Sequence, residues 1–171
     1  QERLAEYGLE LHPDKTRLIE FGRQARDQRR QRGEGEPESF VFLGFTHSCG
    51  TNGAGYFTIW RRSVRKRVEA KLQVVKQTLR ARMHEGLHEV GGWLRRVVTG
   101  FNNYHGVPGN LASLRRFRER VGRYWRQALE RRSQRGRLGA DRVTRLLTRW
   151  LPRPRLSHPY PSVRFDAKHP R

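Results

Sequence analysis

The sequence is poor in cysteine and contains no long apolar stretch. Its 171 residues include a single cysteine, which excludes an intramolecular disulfide and a multi-cysteine zinc site. No apolar run reaches the roughly 18 residues that a membrane-spanning helix needs, and no signal-peptide pattern opens the chain. We therefore expect neither a secreted nor a membrane protein.

Acidic residues are also scarce, and their scarcity indicates the kind of partner. There are 16 Asp and Glu residues against 37 Lys and Arg, which gives a formal charge of +21. Charge of this size repels itself in the folded state, and binding to a polyanion relieves the repulsion and releases condensed counterions. Nucleic acid is the leading partner. An anionic membrane surface, the alternative, would favour one basic amphipathic helix over charge spread along the chain.

Residue sets that carry out catalysis are missing as well. Paired carboxylates, a Ser-His-Asp set and a glycine-rich phosphate loop do not occur in their required contexts. His47 and Cys49 are close in sequence, but tetrahedral zinc needs four ligands and no second Cys or His pair has a suitable spacing. We expect no complete active site in this chain, and no cofactor or metal bound by it.

The first part of the chain predicts little regular structure. A helix ends near Gly8, where glycine suits a left-handed stop, and residues 16–21 are predicted to form a short strand. Residues 22–38 carry almost no apolar side chains, which predicts a solvated loop.

A β-hairpin is predicted next. Residues 40–45 and 55–60 are rich in aromatic and β-branched residues, and turn-forming residues fill positions 48–54 between them. Gly44 lies inside the first run, where glycine marks a bulge or the close approach of another backbone.

Beyond residue 60 the apolar residues recur at helical spacing and predict four helices. Their stripes cover residues 64–83, 90–104, 114–129 and 143–150. Asn110 is expected to cap the third helix, and Pro152 ends the fourth.

Aromatic residues on these stripes have two explanations. Packing in the core is the plain one, and stacking on nucleic-acid bases is the alternative. The residues are Trp93, Phe101, Phe117, Trp125 and Trp150. For Phe40, Phe42 and Phe45 in the hairpin, the alternative to packing is a nucleic-acid backbone that approaches Gly44.

Basic residues on the same helices are predicted to contact phosphates. Solvated helix faces are the alternative, but so few acidic residues accompany these cations that their surface is costly without a polyanion. The predicted contacts are Arg61, Arg62, Arg65, Lys66, Lys71, Arg115, Arg116, Arg123, Arg126, Arg131 and Arg132.

Several motifs, in the order in which they occur, resemble those of group II intron reverse transcriptases. The segments Gly8-Leu9-Glu10-Leu11-His12-Pro13-Asp14-Lys15-Thr16 and Phe40-Val41-Phe42-Leu43-Gly44-Phe45 are similar to the last two palm motifs. Gly92-Trp93 and Phe101-Asn102-Asn103-Tyr104 resemble the pattern of the maturase-specific domain, called domain X or the thumb. Residues 131–134, 150–152 and 158–165 resemble the end of that domain in bacterial members.

This resemblance implies an α+β fold that is mainly α. Residues 1–60 would be the end of the reverse transcriptase palm with its β-hairpin, and residues 61–151 would be the α-helical thumb. Residues 152–171 would be a tail rich in Pro and Arg.

The resemblance also implies roles for individual residues. Lys15 matches a palm lysine near the incoming nucleotide, where an amine acts as general acid toward the departing pyrophosphate. Without the resemblance, Lys15 is a solvated turn lysine. The run Phe42, Leu43, Gly44 and Phe45 matches the primer grip, which holds the primer 3′ end.

A departure from the family sets the limit on activity. The Asp pair that binds Mg²⁺ in the intact polymerase would precede Gln1, so we expect a fragment that does not polymerise DNA alone. The implied function is binding of group II intron RNA and of the template–primer duplex, which assists splicing and RNA-templated DNA synthesis by the intact protein in the bacterial cytoplasm. The alternatives are a non-enzymatic maturase remnant that binds structured RNA, and a generic basic DNA- or ribosome-binding protein.

Overall fold

The computed structural model describes residues 2–13, 16–132 and 139–160. Its fold is α+β and mainly α, as the sequence predicts. The strands lie in the chain between two short helices and four longer ones. The elements are α1 (Glu2–Ala5), α2 (Arg23–Gln31), β1 (Phe40–Phe42), β2 (Phe45–Thr51), β3 (Phe57–Ser63), α3 (Arg65–Ala81), α4 (Leu87–His105), α5 (Leu111–Arg132) and α6 (Ala140–Trp150).

The chain divides into two compact units. Gln1–Ser39 and Ser48–Ile59 form the first, which we call the N-terminal unit, and Phe40–His47 and Trp60–Arg171 form the second, which we call the helical unit. The turn between β1 and β2 therefore belongs to the same unit as the four longer helices. The predicted domain boundaries after residues 60 and 151 stay predictions.

Two predictions for the N-terminal unit are wrong. Residues 16–21 form no strand, and residues 22–38 are not a loop throughout, because α2 occupies Arg23–Gln31. This helix consists mostly of Arg and Gln, which have high intrinsic helix propensity. It has no apolar stripe, and for that reason the sequence pattern did not predict it. Arg32, just after the helix, hydrogen-bonds Glu20 at 2.7 Å and so lowers the pKa of the Glu20 carboxyl.

Both predicted strand regions are found, but they do not form the predicted hairpin, because a turn at residues 43–44 divides the first run and β1 is not a neighbour of β3. β1 pairs antiparallel with β2, Phe42 opposite Phe45, in a three-stranded sheet of order β1-β2-β3. Leu43 and Gly44 form the two-residue connection with φ of 46° and 79°, and positive φ at both positions is what a type I′ turn requires. Gly44 is therefore a turn residue and not a bulge inside a strand.

The prediction of a turn over residues 48–54 is wrong in its first half. β2 continues to Thr51, and the connection to β3 begins at Asn52. The Oδ1 atom of Asn52 accepts hydrogen bonds from the backbone N–H groups of Ala54 and Tyr56, at 3.0 and 2.9 Å. An Asn side chain thus closes the loop.

The core of the helical unit lies among α3, α4, α5 and α6. Phe117 and Trp125 are 1% exposed, and the Phe101 and Phe117 rings stack with centroids 3.7 Å apart. Trp93 and Trp150 are half-buried and pack against this core. The prediction that the helical aromatic residues are core residues is therefore confirmed.

Helices α3 and α5 lie side by side and run in the same direction. Three contacts follow one another along both helices: Ser63 with Asn110, Glu69 with Arg120, and Lys76 with Tyr124. The side chain of Asn110 makes the first of these contacts, since its Oδ1 accepts from the Ser63 N–H at 3.1 Å. Asn110 precedes α5 as predicted, but it ties two helix starts together instead of capping its own helix through the side chain.

The chain after α6 has no helix or strand as far as residue 160. The backbone N–H groups of Ser157 and His158 both donate to the carbonyl of Gly106, at 2.8 and 3.1 Å. These bonds satisfy a carbonyl just beyond the end of α4. Residues 161–171 of the predicted tail lie outside the described residues.

Candidate nucleic-acid interface

The positive charge of the protein lies in the helical unit. Within the bounds of the two units, the N-terminal unit has 8 Lys and Arg against 9 Asp and Glu, a net charge of −1. The helical unit has 29 against 7, a net charge of +22. An electrostatic partner would therefore bind the helical unit.

The basic residues predicted to contact phosphates are available for such a partner. Ten of the eleven are exposed, and Arg61 is half-buried. In the part of the chain that the structure describes, none of the eleven takes part in an ion pair. Their charge is thus left for solvent or for a bound anion.

The Leu43–Gly44 turn is fixed firmly to the helices. The Tyr104 hydroxyl donates to the Leu43 carbonyl at 2.7 Å, and the Val64 N–H at the start of α3 donates to the Gly44 carbonyl at 3.0 Å. Phe45 is buried, with its ring stacked on Tyr104 at 5.8 Å between centroids. Phe42 and Leu43 are instead 58% and 66% exposed. In the run from Phe42 to Phe45, the turn backbone and Phe45 are therefore held against the helices, while the side chains of Phe42 and Leu43 face solvent.

A basic groove runs between α3 and α4 from this turn. Its volume is about 430 Å³, and Gly44 lies among the residues that line it. Arg67 and Lys71 on α3 and Arg96 on α4 contribute three cations, and no acidic residue is among the lining residues. A Cβ atom placed on Gly100 of α4 would meet no atom within 4 Å, which leaves the groove open on that side. This α3–α4 groove has the charge and the open floor that suit a phosphate backbone.

A second basic groove lies on the other side of α3, against α5. Its volume is about 540 Å³. Four of the predicted residues, Arg62, Arg65, Arg116 and Arg123, line this α3–α5 groove. The sequence places Arg65 and Arg116 on different helices, and the parallel packing of α3 on α5 brings them together.

The remaining predicted residues lie outside the two grooves. Arg131 lines a small cavity beside Lys76 and Tyr124, and Arg132 donates to the backbone carbonyl of Glu85. Four others line neither groove; these are Arg61, Lys66, Arg115 and Arg126. Lys15 lies outside the described residues.

Two groove residues are additions to the predicted set. Arg67 lies four residues before Lys71 on α3, so the helical repeat places both on one face, and this spacing was a usable signal. Arg96 joins them only because α4 lines the opposite side of the same groove, and no local pattern in the sequence indicates that arrangement.

A buried polar network holds the start of both grooves in place. Asn110 Nδ2 donates to the Ser63 hydroxyl and to the His105 carbonyl, both at 2.8 Å. The Ser63 hydroxyl lies 2.9 Å from Nδ1 of His105. Burial lowers the pKa of the His105 imidazole and so favours its neutral form.

The described residues contain no group of three or more His, Cys, Asp or Glu side chains that could hold a metal ion. Nor do they include a helix with the length and apolar character needed to cross a bilayer.

Comparison of the chain with protein-family models, with curated proteins and with solved structures finds no match.

Proposed function

We propose that this chain is an RNA-binding segment of a group II intron reverse transcriptase and maturase. The helical unit would grip the intron RNA as it folds for splicing, and in the intact protein it would hold the template–primer duplex during RNA-templated DNA synthesis. Both tasks belong to the bacterial cytoplasm, where the intron is transcribed. The observation that carries the proposal is a net charge of +22 in one unit, with its exposed cations unpaired and lining two grooves.

The Leu43–Gly44 turn supports the nucleic-acid part of the proposal. Gly44 lies at the α3–α4 groove, and a Cβ atom on it would be 3.4 Å from Nη1 of Arg67, so the turn lies directly beside a cation of the groove. The exposed Phe42 and Leu43 next to it offer apolar contacts to a sugar or base. This arrangement suits a segment that holds the end of a nucleic-acid strand, as the resemblance to the primer grip implies.

Polymerisation is not assigned to these residues, since the Mg²⁺-binding Asp pair is expected elsewhere in the parent protein. A stand-alone maturase remnant would use the same grooves for RNA. The two versions of the proposal differ in the gene, because only a polymerase encodes the Asp pair upstream.

Competition between RNAs tests the proposal. The full chain is titrated with a labelled group II intron transcript, in Mg²⁺ buffer that keeps the RNA folded, against a sequence-shuffled RNA of equal length. We expect at least about tenfold tighter binding of the intron, because structured RNA is recognised by shape. Equal affinity would refute the maturase assignment and leave a generic nucleic-acid binder.

A groove variant adds a structural control. Arg67→Gln, Lys71→Gln and Arg96→Gln together should weaken intron binding, because all three line the α3–α4 groove. Arg95→Gln, Arg142→Gln and Arg145→Gln remove the same charge from exposed helical positions outside both grooves. Equal losses in the two triple variants would mean that net charge, and not the groove, determines binding.

A further inference from the structure

The α3–α5 groove has a charge that its own acidic residues do not neutralise. Glu69 and Glu119 are the two acidic residues that line it. Glu69 is already engaged, because Arg120 donates to its carboxylate at 2.6 Å and to the Tyr124 hydroxyl at 2.8 Å. With that pair set aside, four arginines face one carboxylate, a net charge of +3.

The Arg120–Glu69 pair also separates two kinds of arginine within one groove. Hydrogen bonds to Tyr124 and Glu69 raise the pKa of Arg120, so its guanidinium is held in a structural contact between the helices. The arginines at 62, 65, 116 and 123 have no ion pair with any described residue. In this groove, Arg120 is therefore paired with Glu69, while the other four arginines are not neutralised by an ion pair within the described part of the chain.

The dimensions of the groove define what fits. Arg116 and Arg123 are seven residues apart on α5, which is about 10 Å along a helix at about 1.5 Å per residue. Packed helix axes are about 8 to 10 Å apart, so the groove admits one row of phosphates. The rise of about 3.4 Å per phosphate along a duplex axis is the shortest spacing that one strand offers, so this length spans about three phosphates at most.

Both helices also begin at the same end of this groove. The Ser63–Asn110 bond joins their starts, and neither α3 nor α5 has an acidic residue in its first turn. The partial positive charges of the two amino-terminal ends therefore add to the field of the arginines.

We propose that the α3–α5 groove is a second phosphate site, separate from the α3–α4 groove, and that it binds about three successive phosphodiesters of one nucleic-acid strand. The inference rests on the proposed function only in that the chain binds nucleic acid. It assigns Arg62, Arg65, Arg116 and Arg123 to one strand, while Arg67, Lys71 and Arg96 face a different track across α3.

Salt titration of binding to a short single-stranded RNA of arbitrary sequence tests this site. We compare the unaltered chain with Arg65→Gln, Arg116→Gln and Arg123→Gln combined. Removing about three phosphate contacts should make the slope of log K against log salt shallower by about 2. The control triple Arg95→Gln, Arg142→Gln and Arg145→Gln should change the slope by less than about 1. Equal changes in the two triples would overturn the site.

Circular dichroism and thermal unfolding show whether the groove triple variant remains folded. If it does not, the single variants Arg116→Gln and Arg123→Gln take its place, each expected to reduce the slope by about 0.7. If neither single variant changed the slope of log K against log salt, the proposal would likewise be overturned.

A further comparison shows whether internal or terminal phosphates fill the groove. The choice of RNA also keeps this test independent of the test of the maturase assignment. The same RNA with and without a 5′-phosphate should bind equally, because internal phosphodiesters fill the groove. Dependence on the terminal phosphate would contradict the row of phosphodiesters. The RNA in this experiment is not an intron, so a shallower salt slope in the groove variant supports the second site even if the protein shows no preference for the intron. Conversely, a preference for the intron supports the maturase assignment even if the groove variant leaves the salt slope unchanged.

Discussion

His105 makes contacts with residues that are distant in sequence, and the residues around it in the sequence do not predict them. It directly follows the Phe101–Tyr104 run and was not singled out by the sequence, yet in the structure its ring contacts Ser63, 42 positions earlier, and its carbonyl accepts a hydrogen bond from Asn110. The Phe101 ring lies 4.3 Å from it, centroid to centroid. The contact with Ser63 could not be predicted, because it depends on where β3 ends relative to α4.

The His105 network predicts a dependence of stability on pH. The folded pKa is lower than the unfolded value, so as the pH falls below about 6.5 the unfolded chain takes up a proton that the folded chain does not. The stability that His105 contributes is therefore complete above that pH and decreases on acidification. We expect a lower Tm at pH 5.5 than at 7.5, and a smaller difference in a His105→Gln variant. A difference unchanged by His105→Gln but removed by His84→Gln, at an exposed position, would contradict this account.

Trp125 gives a second test at the residue scale. The side chain is 1% exposed in the core of the helical unit, so Trp125→Ala should leave a cavity and cost about 3 to 5 kcal/mol in the free energy of unfolding. Urea unfolding measures the loss. Val74→Ala, at a side chain 52% exposed on α3, should stay within about 0.5 kcal/mol. Similar values for both variants would place Trp125 outside the core.

At the scale of elements, apolar periodicity predicted the helices that have an apolar stripe and missed the one that does not. The helices α3 to α6 carry stripes that pack into a core, and all four occur where they were expected. Helix α2 carries no such stripe, so the same reasoning placed a loop there. The β1–β2 turn was missed because Leu43 is an unusual residue at positive φ.

Close packing between α4 and α6 leads to a prediction that contrasts two glycines of the same helix. A Cβ atom on Gly91 would lie 2.6 Å from Cδ2 of Trp150, whereas one on Gly100 would meet nothing within 4 Å. Gly91→Ala should therefore displace α6 and destabilise the protein by about 1 to 3 kcal/mol. Gly100→Ala should stabilise it by about 0.5 to 1 kcal/mol, since alanine favours the helix. Chemical denaturation gives both values, and a Gly91→Ala variant as stable as the unaltered protein would show that α6 does not pack on Gly91.

At the scale of the whole molecule, the sequence revealed the charge but not its arrangement. Composition alone predicted a polyanionic partner, and the basic residues were predicted on helix faces, which is wrong for Arg61 and Arg62 because they lie in β3. Composition could not reveal that one unit is almost neutral while the other carries +22. Nor could it divide the cations between two sides of α3, because that division depends on which helices pack on each flank.

The salt dependence of RNA binding by the full chain tests the central claim most directly, namely that the helical unit binds nucleic acid through its unpaired cations. Contact with six to ten phosphates should reduce the affinity by about 10³ to 10⁵ between 50 and 200 mM salt. Fluorescence anisotropy with a labelled RNA measures this over the whole range. An affinity that stays constant across these concentrations would contradict the claim.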